Sequence, residues 1–264
     1  MNETIKDSYD QFSNDYDRFV NWESRLNYEM PFLVSELGAL NPNQNSRITV
    51  LDTACGTGHH AIALSKAGFL CAGVDASSGM IAIAQANAAR ANLDIHFKQA
   101  LFGQLAHTFD EYSFDGLLCL GNSIPHILTD ASLANAMADF RSLLIPSGKL
   151  IIQNRNFDQV INQRERWMPP QTHYEGSACW VFTRFYDFEP DGLITFNIIV
   201  LSNQGGEEFQ QHVISTPLRP ISMKLLTRAI EASGFGSIRL YGDLQGNSFD
   251  INKSSNLVVI ATAE

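Results

Sequence analysis

The stretch LDTACGTGHHAIALSKAGFLCAGVD, Leu51 to Asp75, decides the fold. A short apolar run leads into a glycine turn, an apolar-patterned segment follows, and a second short run ends on an acid. Gly56, Gly58 and Ala61 fit G-x-G-x-x-A, and Asp75 falls about twenty positions on, where a β-α-β unit presents a carboxylate to a ribose. The unit therefore binds an adenosine compound, and the ligand is NAD or another adenosine derivative.

Working outward, ITVLDTA, LCAGVD, DIHFKQAL, FDGLLCLG and GKLIIQN are short apolar runs, β-branched or cysteine-rich, as buried parallel strands should be. Between them Ile81, Ala84 and Ala88, then Leu133, Met137, Phe140 and Leu144, recur at helical spacing. Ser77 and Asp130 stand where helix N-caps are wanted, and Pro146 with Gly148 ends the helix before the fifth strand. Repeated β-α units imply an α/β fold with a doubly wound, Rossmann-like parallel sheet.

Two regions lie outside this core. Residues 1–45 carry aromatic and aliphatic spacing for two amphipathic helices, a cover over the sheet. Residues 157–220 contain SACWVFTRFYDF, LITFNIIVLS and EEFQQHVIST, separated by EPDG and NQGG turns, which reads as an antiparallel meander. Helical signal returns at SMKLLTRAIEASGF, with two more strands behind it. The core is thus 46–156 and 221–264, and the meander is an inserted lid at the carboxyl edge of the sheet, where open α/β sheets bind ligands.

The formal net charge is −10, with basic residues scattered, which disfavours nucleic acid and anionic membranes as partners and favours a small molecule. Cys55, Cys71, Cys119 and Cys179 show neither C-x-x-C nor metal-ligand spacing, so no metal is expected, and they read as buried thiols of a reducing cytosol. MNETIKDSYDQF has no basic-then-apolar leader pattern, and no apolar run approaches the ~20 residues that cross a bilayer. A soluble, cytoplasmic protein is the expectation.

Asp52 chooses between the adenosine ligands. It interrupts the first strand four residues before Gly56, and beside a pyrophosphate that charge would be repulsive, whereas beside a cationic sulfonium it is favourable. V-L-D-x-A-C-G-T-G, the Asp ending the second strand and I-P-S-G-K-L before the fifth resemble class I S-adenosylmethionine-dependent methyltransferases across the core. CLGNSIPHI, from Cys119, and IIQNRNFD, from Ile151, are similar to segments of the glycine N-methyltransferase group, as, more loosely, is NWESRLNYE. The resemblance implies a seven-stranded sheet, S-adenosylmethionine as cofactor and S-adenosylhomocysteine as product. Beyond Asp158 the likeness stops, and Gln153 and Asn154 replace the group's Asp-His before the arginine. The group's common oligomeric state is not carried over by so loose an N-terminal match, which leaves a homo-oligomer open.

The cofactor residues expected are Ala54, Gly56 and Gly58 in the turn, and Asp75 for the ribose hydroxyls. The resemblance adds Met80, Leu101 and Phe102 around the adenine, Arg25 for the cofactor carboxylate, and Tyr16 and Trp22, with Tyr9, closing the pocket. Leu120 and Asn122 end the fourth strand, where the methyl should sit. His126 is a candidate to orient the acceptor or receive its proton, given a near-neutral unperturbed pKa. Arg155 follows the fifth strand; a guanidinium can grip a carboxylate through two parallel hydrogen bonds, and the matching arginine of the resembling group does so with glycine. On one face of a lid strand, Phe182, Arg184 and Tyr186 also point at the acceptor or away from it. The reading is therefore N-methylation of an amino acid or other carboxylate-bearing amine, against an O- or S-methyltransferase of a small metabolite or a non-catalytic S-adenosylmethionine-binding regulator.

Overall fold

Short apolar runs alternating with amphipathic segments build a sheet with helices on both faces. The structure, a computed structural model, describes residues 3–40, 46–109, 113–206 and 208–264. Two helices come first, α1 (Glu3–Phe19) and α2 (Trp22–Gly38). Then follow β1 (Thr49–Asp52), α3 (His59–Lys66), β2 (Leu70–Asp75), α4 (Ser78–Arg90), β3 (His96–Gln99), α5 (Leu105–Thr108) and β4 (Phe114–Cys119). Next are α6 (Asp130–Ser142), β5 (Leu144–Arg155) and α7 (Phe157–Gln163). Four strands follow: β6 (Gln171–Glu175), β7 (Ala178–Phe188), β8 (Ile194–Asn203) and β9 (Gln210–Leu218). The chain closes with α8 (Met223–Ala232), β10 (Phe235–Tyr241) and β11 (Asn256–Ala263).

The seven-stranded sheet runs β3-β2-β1-β4-β5-β11-β10. β1 to β5 pair in parallel, and β11 is antiparallel to both its neighbours. Strand order reverses between β1 and β4, so a crevice opens at their carboxyl ends, beside Asp52 and Cys119. Leu51, Val74, Leu117 and Ile152 are fully buried beneath it and fix the floor. No helix among the described residues is long and apolar enough to cross a membrane. The four cysteines are free, Cys55 and Cys119 buried, the others half-buried.

Three local expectations need correction. Ser77 does cap α4, accepting from the Met80 amide at 3.1 Å, but the cap of α6 is Thr129, not Asp130. Asp130 is the first helical residue, where a carboxylate suits the helix dipole, and it pairs with Arg219 at 2.5 Å. Leu144 belongs to β5 rather than α6, and Pro146 to Gly148 form an irregularity inside that strand, with Ser147 at φ 64°. The inserted sheet has four strands rather than three, in the order β6-β7-β8-β9. β6, QTHYE, is a mostly exposed polar edge joined to β7 through Gly176 and Ser177, so it lacks the apolar alternation that marks its neighbours.

α1 lies between the inserted sheet and the core. Tyr9, Phe12, Tyr16 and Phe19 recur at three, four and three residues and make one aromatic stripe. Phe12 is 1% exposed against Trp180, Phe182, Ile198 and Ile214 of the inserted sheet. On its core side Asp10 accepts from the Ser77 hydroxyl at 2.5 Å and the Gly79 amide at 2.9 Å. Asp17 accepts from the Thr57 hydroxyl at 2.6 Å and the Trp22 indole at 2.9 Å. α1 therefore roofs the crevice.

Candidate active site

The glycine turn is built by β2 as much as by β1. Gly56 adopts φ +51°, and its amide donates to one Asp75 oxygen at 2.9 Å while the Ser77 amide donates to the other at 2.9 Å. Asp75 thus holds the glycine of the turn, while Asp52 accepts the Ala54 amide at 3.4 Å. Burial raises Asp75 above the ordinary carboxylate range, and the amide donors pull it back. Asp52 lies beneath the crevice, where burial pushes its pKa up to about 6.

A cavity of about 1580 Å³, its mouth included, opens above that turn. Ala54, Gly56, Asp75 and Met80 line it from the core, with Phe102 from the loop after β3 and Leu120 from the end of β4. Tyr16, Trp22 and Arg25 line it from the helical cover, with Tyr9 beside them. Two expected residues do not: Gly58 and Leu101 lie outside the lining. Gly58 caps α3 at φ +85°, and a Cβ there would stand 2.9 Å from the Phe97 ring and 3.0 Å from the Ala84 methyl. It is the glycine of close helix packing, while Gly56 is the glycine of the cavity.

Arg25 is held rather than free. Its Nε donates to both Glu29 oxygens, at 3.0 and 3.1 Å, and its guanidinium lies 5.1 Å from the Trp22 ring centre. Glu29 also meets His60 Nε2 at 2.6 Å. Burial pushes Glu29 up, but the His60 hydrogen bond and the Arg25 charge outweigh it and hold the carboxylate below its usual range.

At the far end the cavity meets the carboxyl ends of β4 and β5 and the inner face of the inserted sheet. Asn122, at φ 67°, uses its side-chain oxygen to accept the Arg155 amide at 2.9 Å, so it ties the two strand ends together. Gln153 supports the same turn, accepting the Gly121 amide at 2.9 Å, which gives the departure from Asp a structural task. His126 is buried, with Nε2 2.9 Å from the Tyr9 hydroxyl, and burial pushes its pKa down to about 4. The lowered pKa makes the neutral ring a weaker base than the sequence suggests, and the Tyr9 hydroxyl is its hydrogen-bond partner. Arg155 Nη2 pairs with Glu165 at 2.8 Å, while its buried Nε has no acceptor. Asp158 is occupied elsewhere, accepting the Met223 amide at 2.7 Å. Arg184 and Tyr186 both face inward and line this end.

Residues 50–148 match a methyltransferase-domain family. A glycine/sarcosine N-methyltransferase of Aphanothece halophytica is 30% identical over 251 residues, spanning 91% of this chain and 87% of the relative. The chain belongs to the S-adenosylmethionine-dependent methyltransferases, in the glycine/sarcosine N-methyltransferase group. Among solved structures, a methyltransferase of this cofactor class from Clostridium acetobutylicum superposes with a TM-score of 0.77 at 15% identity, covering 97% of this chain and 98% of the other. The CcbJ methyltransferase of Streptomyces caelestis gives 0.75 at 22% identity, covering 97% and 98%. Both share the fold.

The cofactor of this methyltransferase is S-adenosylmethionine, and the cavity fits it. The turn leaves room where a Cβ on Gly56 would come within 3.4 Å of the Tyr16 ring, and Arg25 offers a cation to a carboxylate. Several lining residues escaped the sequence reading: Glu29, His60, Met168, Phe196 and Ile198. Glu29 was within reach, since it stands four residues after Arg25 on one helix face. His60, 31 residues further along, carried no local signal.

Proposed function

We propose that this methyltransferase acts on the nitrogen of a small amine that carries a carboxylate, an amino acid of the glycine or sarcosine kind. The observation that carries the reading is Arg155. Its guanidinium stands at the end of the cavity remote from the glycine turn, with a buried Nε that no group among the described residues satisfies, where an acceptor's carboxylate would satisfy it. The similarity to the Aphanothece halophytica enzyme supports it.

In this reading Ala54, Gly56, Asp75, Met80 and Phe102 hold the cofactor's nucleoside, Leu120 lies beside its methyl and Arg25 takes its carboxylate, with Tyr16 and Trp22 closing that end. When bound, S-adenosylmethionine supplies a methyl group already activated by the sulfonium. The chain then has to position and to exclude water. α1 and the inserted sheet cover the cavity, and Arg155 fixes the acid end of the acceptor. Asn122, itself in the cavity lining, holds the Arg155 backbone in place. Orientation of this kind is worth roughly 7 to 11 kcal/mol in well-aligned systems. The amine must arrive unprotonated; with His126 neutral and a weak base, solvent takes the proton.

Steady-state kinetics of Arg155→Gln test the assignment. The acceptor's KM should rise about tenfold to a hundredfold, the loss of a charge-assisted bond, while the affinity for S-adenosylmethionine stays constant. An unchanged KM and kcat would remove Arg155 from acceptor binding.

A further inference from the structure

The inserted sheet brings a second guanidinium to the same end of the cavity. Arg184 lies on β7 between Phe182 and Tyr186, directly across from Ile198 of β8, and lines the cavity together with Arg155. Its Nε is closed to solvent and without an acceptor. Among the described residues no acid pairs with it, whereas the other two arginines of the cavity each have one, Glu29 for Arg25 and Glu165 for Arg155. The Phe19 ring centre lies 4.9 Å from its guanidinium carbon.

The charges at this end do not balance. Arg155 has one carboxylate, Glu165, which sits between α7 and β6 with its side chain 38% exposed, and Arg184 pairs with no acid among the described residues. His126 is neutral, and Tyr186 remains protonated because burial pushes it up to about 12 against the pull of Arg155 and Arg184. One positive charge is left without a counter-ion in a site partly withdrawn from water, which is unfavourable until an anion enters. Burial and the neighbouring Arg155 both lower the Arg184 pKa, the response of a cation lacking its anion. Two guanidiniums, each with an unsatisfied Nε, match the two oxygens of a single carboxylate.

We propose that Arg184 is the second arm of a carboxylate clamp, the acceptor's acid group being held between Arg155 and Arg184, so that Arg184 sets selectivity for acid-bearing acceptors. The proposal rests on the acceptor end of the cavity assigned above. A carboxamide would be rejected, because it has no charge and turns an NH2 donor towards donors. Glu165 acts in the opposite sense, as an internal carboxylate competing for Arg155.

Calorimetric titration with sodium acetate tests the clamp on protein saturated with S-adenosylhomocysteine; acetate has the carboxylate and no nitrogen to methylate. Arg184→Gln and Arg155→Gln should each weaken acetate about tenfold or more, Glu165→Gln should tighten it, and S-adenosylhomocysteine affinity should hold in all three. Wild-type acetate affinity in Arg184→Gln, or no acetate binding by the wild type, overturns the clamp. If Arg184→Gln does not fold, Arg184→Lys keeps the stem and charge but offers one nitrogen. It should weaken acetate severalfold, and unaltered affinity there overturns the clamp equally. The outcomes separate the two readings: acetate loss in Arg184→Gln without methylation of any amine leaves the clamp and removes the nitrogen acceptor. Amine methylation with acetate affinity intact in Arg184→Gln does the reverse.

Discussion

Replacing each glycine of the first turn by alanine should split stability from cofactor binding. Gly56 and Gly58 both have positive φ, +51° and +85°, so an alanine at either incurs the left-handed cost of about 1–2 kcal/mol. The surroundings then differ. A Cβ on Gly56 meets the Tyr16 ring at 3.4 Å, an ordinary contact, and projects into the cavity. At Gly58 it would press on Phe97 at 2.9 Å and Ala84 at 3.0 Å, adding about 1–3 kcal/mol of overpacking. Gly58→Ala should therefore lose about 2–5 kcal/mol in urea unfolding, and its folded fraction should bind S-adenosylmethionine with nearly wild-type affinity. Gly56→Ala should lose about 1–2 kcal/mol and bind the cofactor at least about tenfold more weakly. Equal destabilisation, or a larger affinity loss at Gly58 than at Gly56, would refute the division of labour.

Arg25→Gln should weaken S-adenosylmethionine about tenfold in calorimetry while leaving the acceptor's KM at saturating cofactor unchanged; a shift in KM alone would place Arg25 with the acceptor. His126 has a folded pKa of about 4 against 6.5, so its contribution is fully present above pH 6.5 and is lost as pH falls towards 4, roughly 3 kcal/mol in all. His126→Gln should flatten the fall in urea midpoint across that window, and an identical fall would contradict the neutral ring. Asp52 has the opposite sign: its folded pKa of about 6 lies above the ordinary 3.8 of an aspartate, so folding loses stability as pH rises between them. Asp52→Asn should gain up to about 3 kcal/mol above pH 6 and nothing below pH 4, read from the same unfolding curves.

The parallel core was legible because its signals are local. Apolar runs such as LLCL and LIIQ sit on strands buried on both faces, and Ser77 announces α4 by its own hydrogen bond. What stayed hidden depends on distance through space. Gly58 and Gly56 are indistinguishable in a G-x-G pattern, and it is Phe97 and Ala84, far along the chain, that make one of them a packing residue. Leu101 and Phe102 were an unresolved pair after β3; the turn directs Phe102 to the cavity, where its ring also meets Phe140 edge-on at 5.6 Å. His126 kept its near-neutral character on paper because burial, which sets its pKa, is a property of α1 and its Tyr9 hydroxyl packed over it. Glu165 lies in a stretch without periodicity, so its pairing with Arg155 carried no local signal.

Methyl-labelled S-adenosylmethionine, incubated with the purified enzyme and matched pairs of small amines with and without a carboxylate, gives the most direct test of the acceptor class. Mass spectrometry should find the label on nitrogen, in the carboxylate-bearing member of each pair and not in its carboxamide. Label in both members alike, or on no amine while the cofactor still binds, would contradict the account.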